Sequence, residues 1–195
     1  MKNQRQIVLA SASPRRKALL EQIGLSFTVD AGGQEDPLES GNEPHRLVRA
    51  ISLKKALSVA ARYQDAIIIA ADTIGVIEGK IIGKPKSERD ARAMLASLSG
   101  KSHSVITGFT VLDTLTGKSI SKSVETTVHI RKLSRAEISA YVKTGEPLDK
   151  AGSYAIQGLG AILVEKIEGD YYNVVGLPLS ALANALQGFG IRILD

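Results

Sequence analysis

Ser11, Ser13, Arg15 and Arg16 fall within one short string, SASPRR, directly behind the apolar run IVLA. If the apolar run is a strand and the residues behind it open a helix, two arginines stand in a first turn, where the helix dipole favours negative charge. A helix start also carries N–H donors with no partner inside the helix, and guanidinium forks bind phosphate bidentately. The set therefore predicts an anion site with two hydroxyls beside it. The plainer alternative is that Ser13 caps the helix and both arginines extend into solvent.

Asp72 closes the run AIIIAAD. That spacing predicts a carboxylate at the carboxyl end of a buried strand, the edge where ligands bind in open α/β sheets. A carboxylate there must find a cation or donors, and backbone amides at the strand end are the bland way to supply them. Lys84 stands between Gly83 and Pro85 in IIGKP, a stiff turn that could aim an ammonium at phosphate. Gln157 lies in DKAGSYAIQGLGA, where Gly158 and Gly160 let backbone approach a ligand closely. Its amide carries a donor and an acceptor in one plane, which suits the edge of a nucleobase, although a glycine-rich turn with a surface glutamine has the same appearance. Glu35 belongs to an acidic loop, AGGQEDPLESGNEP, and on pattern alone is a solvated acid.

The elements that must position these residues alternate. QIVLAS reads as a buried strand, and SPRRKALLEQIG as a helix with Ser13 at the N-cap, Pro14 at the first helical position and Gly24 just past the end. LSFTVD alternates as a strand does. From Pro44 to Tyr63 the residues Leu47, Val48, Ile51, Ala56 and Val59 sketch a helical face. AIIIAADT reads as a central strand, followed by a hairpin turning at Glu78-Gly79 and a helix between Ser87 and Gly100. A long antiparallel hairpin turns at Thr116-Gly117, SRAEISAYVKTG is a further capped helix, and the last stretch reads as strand, loop and a helix beginning at Pro178. The expectation is a single α/β domain over residues 1–195, with a mixed α+β sheet of parallel and antiparallel strands.

Composition narrows the chemistry. With no cysteine in 195 residues, thiolate nucleophiles, disulfides and Cys-based metal sites are excluded. GxxxxGK[ST], GxGxxG, GxSxG and HExxH are all missing, and His45, His103 and His129 are too dispersed for a ligand set. No apolar run nears the roughly 18 to 20 residues of a membrane helix, so no membrane association and a cytoplasmic location are expected. The net charge of +5 fits an anionic partner. Five tyrosines, three phenylalanines and no tryptophan supply little for stacking on single strands, which argues against nucleic acid.

Taken in order, LASASPRRKALL, the acidic loop with Glu35, LKKA, AADT, IIGKP, SGKSHSVITG, GEPLDKAGSYAIQGLGA and YYNVVGLPL resemble the Maf family of nucleoside triphosphate pyrophosphatases. The resemblance runs from Ile7 to Leu186. It implies an elongated two-lobed fold similar to inosine triphosphate pyrophosphatase with a central cleft, often as a homodimer. It implies hydrolysis of a nucleoside triphosphate between the α and β phosphates to monophosphate and pyrophosphate, with a divalent cation, Mg²⁺ or Mn²⁺. By position, Asp72 would be the general base. Arg15, Arg16, Lys55 and Lys84 would bind the triphosphate beside Ser11 and Ser13, and Glu35 with Asp72 would hold the metal. Thr73 and Gln157 resemble the type acting on dTTP and UTP, which could remove modified pyrimidine nucleotides. The alternative is a nucleotide-binding regulator of cell division and septum formation that does not hydrolyse.

Overall fold

The computed structural model describes residues 5–32 and 43–194. Its strands are β1 (Gln6–Leu9), β2 (Thr28–Val29), β3 (Ala66–Ile77), β4 (Lys80–Ile82), β5 (Ser102–Asp113), β6 (Ser119–Ile130) and β7 (Val164–Glu168). Its α-helices are α1 (Pro14–Gln22), α2 (Pro44–Ala60), α3 (Glu88–Leu98), α4 (Arg135–Lys143), α5 (Tyr171–Val175) and α6 (Leu179–Gln187). The strands form one mixed sheet in the order β2-β1-β3-β5-β6-β7, with β4 paired to β3. The mixed α/β class expected from the sequence is therefore the class found.

Two compact units share the chain, and β3, β5 and β6 run from one into the other. The first comprises Met1–Thr73, Thr107–Val124 and Gly176–Asp195. Here β1 pairs in parallel with both β2 and β3, Val8 opposite Thr28 and Ile68. Val8, Ala10, Ala66, Ile68, Ala70 and Leu112 close over Ala56 and Val59 of α2. The buried face of α2 is Leu47, Val48, Ser52, Ala56 and Val59. Ser52 thus stands where apolar spacing alone pointed to Ile51, which is only partly buried. The hydroxyl of Ser52 is satisfied by Arg49 O and by Thr110 Oγ1, which also meets Ser121, so a polar thread runs under the helix without leaving a donor unpaired. That thread is reachable because Gly108 brings β5 against the helix backbone: a Cβ there would lie 2.4 Å from the carbonyl of Val48.

The ends of α1 follow its residues. Gly24 adopts φ +69°, its N–H reaches Glu21 O and Leu25 N–H reaches Leu20 O, the double bond pattern that closes a helix on a left-handed glycine. LSFTVD yields only the two-residue strand β2. It sits at the end of the sheet order, with β1 as its neighbour, and both of its residues are exposed. The chain is instead held just beyond, where Asp30 accepts from Arg62 and Tyr63.

The second unit comprises Ile74–Ile106 and Glu125–Val175. Leu95 and Leu98 of α3, Ile138, Tyr141 and Val142 of α4, and Val105, Val128 and Ile130 of the strands make its core. Both helices start as their sequences predict. Ser87 accepts from Asp90 N–H, and Ser134 and Glu137 form a reciprocal capping box. The β3-β4 hairpin turns at Glu78 (φ +49°) and Gly79 (φ +74°), a two-residue turn whose twist matches the strands it joins. Helix α5 forms where the sequence pattern predicts loop. Its residues, YYNVV, are aromatic, amide or β-branched and have low helix propensity, so only burial of Asn173 and Val175 selects it.

Candidate active site

The first unit gathers most of the residues singled out by the sequence. Asp72 departs from the expected strand end. It does not end a strand but lies within β3, which continues to Ile77 because Thr73, Ile74, Val76 and Ile77 extend readily and Gly75 to Ile77 pair with β4. What ends is β1: its register with β3 stops at Ile69, where Ala10 N–H takes the last carbonyl. Asp72 therefore stands three residues past the carboxyl end of the parallel pairing, and the ligand edge expected of such sheets is preserved although the strand end is not.

Its carboxylate meets α2. Lys55 Nζ donates to Asp72 Oδ1 at 2.6 Å, with the two side chains only 15% and 18% exposed. The bland reading, backbone amides around a strand-end acid, is not what the strand provides. The aliphatic contacts of Ala56 and Val59 fix the helix, and the helix fixes the ammonium.

Thr73 is adjacent in sequence, and successive residues of a strand face opposite sides of the sheet. Its hydroxyl meets α1 instead: Arg16 Nη2 donates to Thr73 Oγ1 at 3.1 Å. The same guanidinium donates through Nε to Gly176 O at 2.8 Å and through Nη1 to Ser11 Oγ at 3.1 Å. Among the described residues Arg16 thus clamps Gly176, Ser11 and Thr73, and it is not a side chain in solvent. Thr73 Oγ1 also lies 2.8 Å from Thr107 Oγ1. Thr107 and Gly176 were not singled out from the sequence. They sit in SHSVITG and VVGLPL, and no spacing rule links positions that far from Arg16.

Ser11 Oγ accepts from both Arg16 and the N–H of Ser13. A hydroxyl has two acceptor lone pairs and one proton, so the proton is what remains to offer a ligand. Ser13 holds the N-cap position of α1 with extended backbone, but its hydroxyl makes no capping bond, contrary to expectation. The residue behind it is Pro14, which has no N–H, and the first turn holds no acidic residue. The Ser13 hydroxyl and the first turn's side chains therefore supply no capping acceptor at this helix start. Arg15 is partly buried in that turn.

Lys84 and Gln157 belong to the second unit. The GKP turn that carries Lys84 is tied to the loop leading to Gln157, since Gly152 N–H donates to Gly83 O at 3.1 Å. Gln157 is exposed and precedes a 3₁₀ segment, Gly158–Leu163, which its side chain does not cap. Beneath it, Glu146 accepts from the amides of Leu159 and Gly160 and from the Tyr141 hydroxyl. Burial would raise the Glu146 carboxyl, but the Gly160 amide, the phenol and the Leu159 amide outweigh it and hold the group below its ordinary range. His103, buried in the same unit, donates or accepts at Tyr154 Oη 2.9 Å away, and desolvation followed by the nearby His129 lowers it to about 4.

Glu35 and its loop lie outside the described residues. Among the described residues no group of three or more His, Asp or Glu side chains could hold a metal, and no helix is long and apolar enough to cross a membrane. Asp72 is still compatible with a divalent cation. Mg²⁺ commonly takes one or two carboxylates with the rest of its shell from phosphates and water, and hard oxygen donors suit it.

Comparison with known proteins places the fold first. The Ham1 protein of Staphylococcus aureus matches with a TM-score of 0.53 at 13% identity, covering 94% of this chain and 99% of that one. The chain belongs to the Maf-like protein family, which matches residues 6–189. The dTTP/UTP pyrophosphatase of Methanosarcina barkeri is 52% identical over 192 residues, 98% of either chain. That of Dictyoglomus turgidum is 50% identical over 194 residues, 97% of this chain and 99% of its own.

Proposed function

We propose that this protein is a cytoplasmic nucleoside triphosphate pyrophosphatase that hydrolyses dTTP and UTP between the α and β phosphates. The observation that carries the reading is the pairing of Lys55 on α2 with Asp72 on β3, past the end of β1, in a chain about half identical to relatives named dTTP/UTP pyrophosphatase.

In this reading Lys55 Nζ holds Asp72 Oδ1, and Asp72 Oδ2 takes a proton from water as the water oxygen bonds to phosphorus. The Pα–O–Pβ bridge breaks, monophosphate and pyrophosphate form, and the proton leaves by way of Asp72. Arg15, the start of α1 and the Ser11 proton neutralise and orient phosphate oxygens, with Ser13 beside them. Arg16 takes part by holding Ser11 and Thr73 in place, so Thr73 acts on the nucleotide through that clamp. Lys84 adds a charge to the phosphates, and the Gln157 amide reads the pyrimidine edge. Asp72, together with Glu35, would hold Mg²⁺ or Mn²⁺, whose chemistry is charge neutralisation on the triphosphate.

The test is pyrophosphate release from dTTP, UTP, CTP, GTP, ITP and 7-methyl-GTP, with and without Mg²⁺ or Mn²⁺. Metal-dependent release led by dTTP and UTP is expected. Tight binding of the same nucleotides with no release would instead identify a non-catalytic regulator.

A further inference from the structure

We propose that Tyr141 and Glu146 form a latch that sets base selectivity by holding the Gln157 turn at both of its ends. The inference rests on the reading of Gln157 as the group that meets the pyrimidine edge. The Tyr141 hydroxyl donates to Glu146 Oε1 at 2.8 Å and accepts from Ala155 N–H at 3.2 Å. Glu146 in turn accepts from Leu159 N–H at 3.0 Å and from Gly160 N–H at 2.8 Å. One phenol–carboxylate pair therefore anchors the backbone two residues before Gln157 and two and three residues after it.

The fit leaves no slack. A Cβ on Gly158 would come within 2.6 Å of Glu146 Oε2, and one on Gly160 within 2.5 Å of Tyr141 Oη. Gly158 also has φ +72°, where a side chain is strained. The ring of Tyr141 is buried in the core of its unit, only 6% exposed, so the anchor is itself fixed by packing on α4.

Selectivity demands this rigidity for a chemical reason. Uracil and thymine present an acceptor at O4 and a donor at N3, whereas cytosine presents a donor and an acceptor in reversed order. A glutamine amide can serve either edge by turning over. It discriminates only where its surroundings favour one orientation of the amide, and holding the turn keeps those surroundings in place. Neither latch residue touches the base in this scheme; both are positioning residues.

The experiment is a double-mutant cycle read as the ratio of kcat/KM for UTP to that for CTP, with thermal unfolding of each protein. Tyr141→Phe keeps the ring and removes the hydroxyl. It is expected to lower the ratio about tenfold, through KM for UTP, with kcat for UTP changed less than about twofold. Gln157→Ala is expected to lower the ratio similarly, and Tyr141→Phe added to it should lower it no further. Gly158→Ala, at an exposed site, should reproduce the loss and keeps the question answerable if Tyr141→Phe does not fold. An unchanged ratio in folded Tyr141→Phe and Gly158→Ala overturns the latch while Gln157→Ala still loses selectivity. An unchanged ratio in Gln157→Ala overturns the reading of Gln157 itself. A further drop of Tyr141→Phe on the Gln157→Ala background also overturns the latch, because its effect would then not pass through Gln157.

Discussion

Replacing Asp72 by asparagine separates catalysis from folding. The side chain keeps its shape and an oxygen for Lys55, so the geometry of a 2.6 Å contact between groups 15% and 18% exposed survives while its charge on one side is lost. Turning a charge-assisted hydrogen bond into one with a neutral acceptor costs about 1 kcal/mol. In a chain of this length that lowers Tm by roughly 2–4 °C. Removal of a general base costs on the order of 10² to 10⁴ in rate, which is about 3–5 kcal/mol of barrier. The catalytic loss should therefore exceed the stability loss several-fold. Both are read on one preparation, by pyrophosphate release from UTP at saturating Mg²⁺ and by a circular-dichroism melt. A folded variant within tenfold of wild-type turnover would refute the role assigned to Asp72.

Three further outcomes follow from other contacts. Gly108→Ala places a methyl group against the backbone of Val48 and Arg49, and overpacking of this kind costs roughly 1–3 kcal/mol, so Tm should fall by about 3–10 °C, with activity falling too because the displaced helix carries Lys55. Arg16→Lys replaces a planar fork on three acceptors by a point donor, and a loss of about 10- to 100-fold in kcat/KM for UTP is expected; kinetics equal to wild type would show that the clamp is not needed. His103 has its folded pKa lowered to about 4 from an ordinary 6.5, so between those values the unfolded chain binds a proton that the folded one refuses. Stability is then full above about pH 6.5 and falls by roughly 3 kcal/mol as the pH drops toward 4, an effect that urea unfolding at stepped pH should find and that His103→Gln should flatten. Glu137, held low by Arg131, and Asp113, held low by Arg5, add their own losses as the pH approaches and passes below about 4.5, so the steps between pH 6.5 and about 5 are the ones that isolate the histidine.

Much of the fold is legible because the signals are local. Ser87, Ser134 and Glu137 act on backbone groups three residues away, and Glu78-Gly79 adopts the positive φ angles its hairpin requires. Where packing decides, the reading falls short. Ser52 is buried because Thr110, itself bonded to Ser121, comes to meet it, and α5 exists because Asn173 is drawn inward. LSFTVD alternates correctly, but its place at the end of the sheet order leaves it only one neighbour.

The sequence by itself determined which chemical groups are available: a basic, hydroxyl-bearing helix start at Ser11 to Arg16, an acid behind an isoleucine run, a lysine turn and a glutamine among glycines. It determined the family too, since several uncommon strings in one order are a property of the chain alone. Only the tertiary structure decided what those groups do to one another. It put Asp72 and Thr73, neighbours in sequence, on opposite faces of β3, giving one to Lys55 and the other to Arg16. It spent the Arg16 guanidinium on Ser11, Thr73 and Gly176, and it set the Gln157 turn on Glu146 and Tyr141. The physical reason is range. Capping, turn formation and periodicity act within a few residues, whereas the partners of Arg16 are as far as 160 positions away and are chosen by strand order and helix packing.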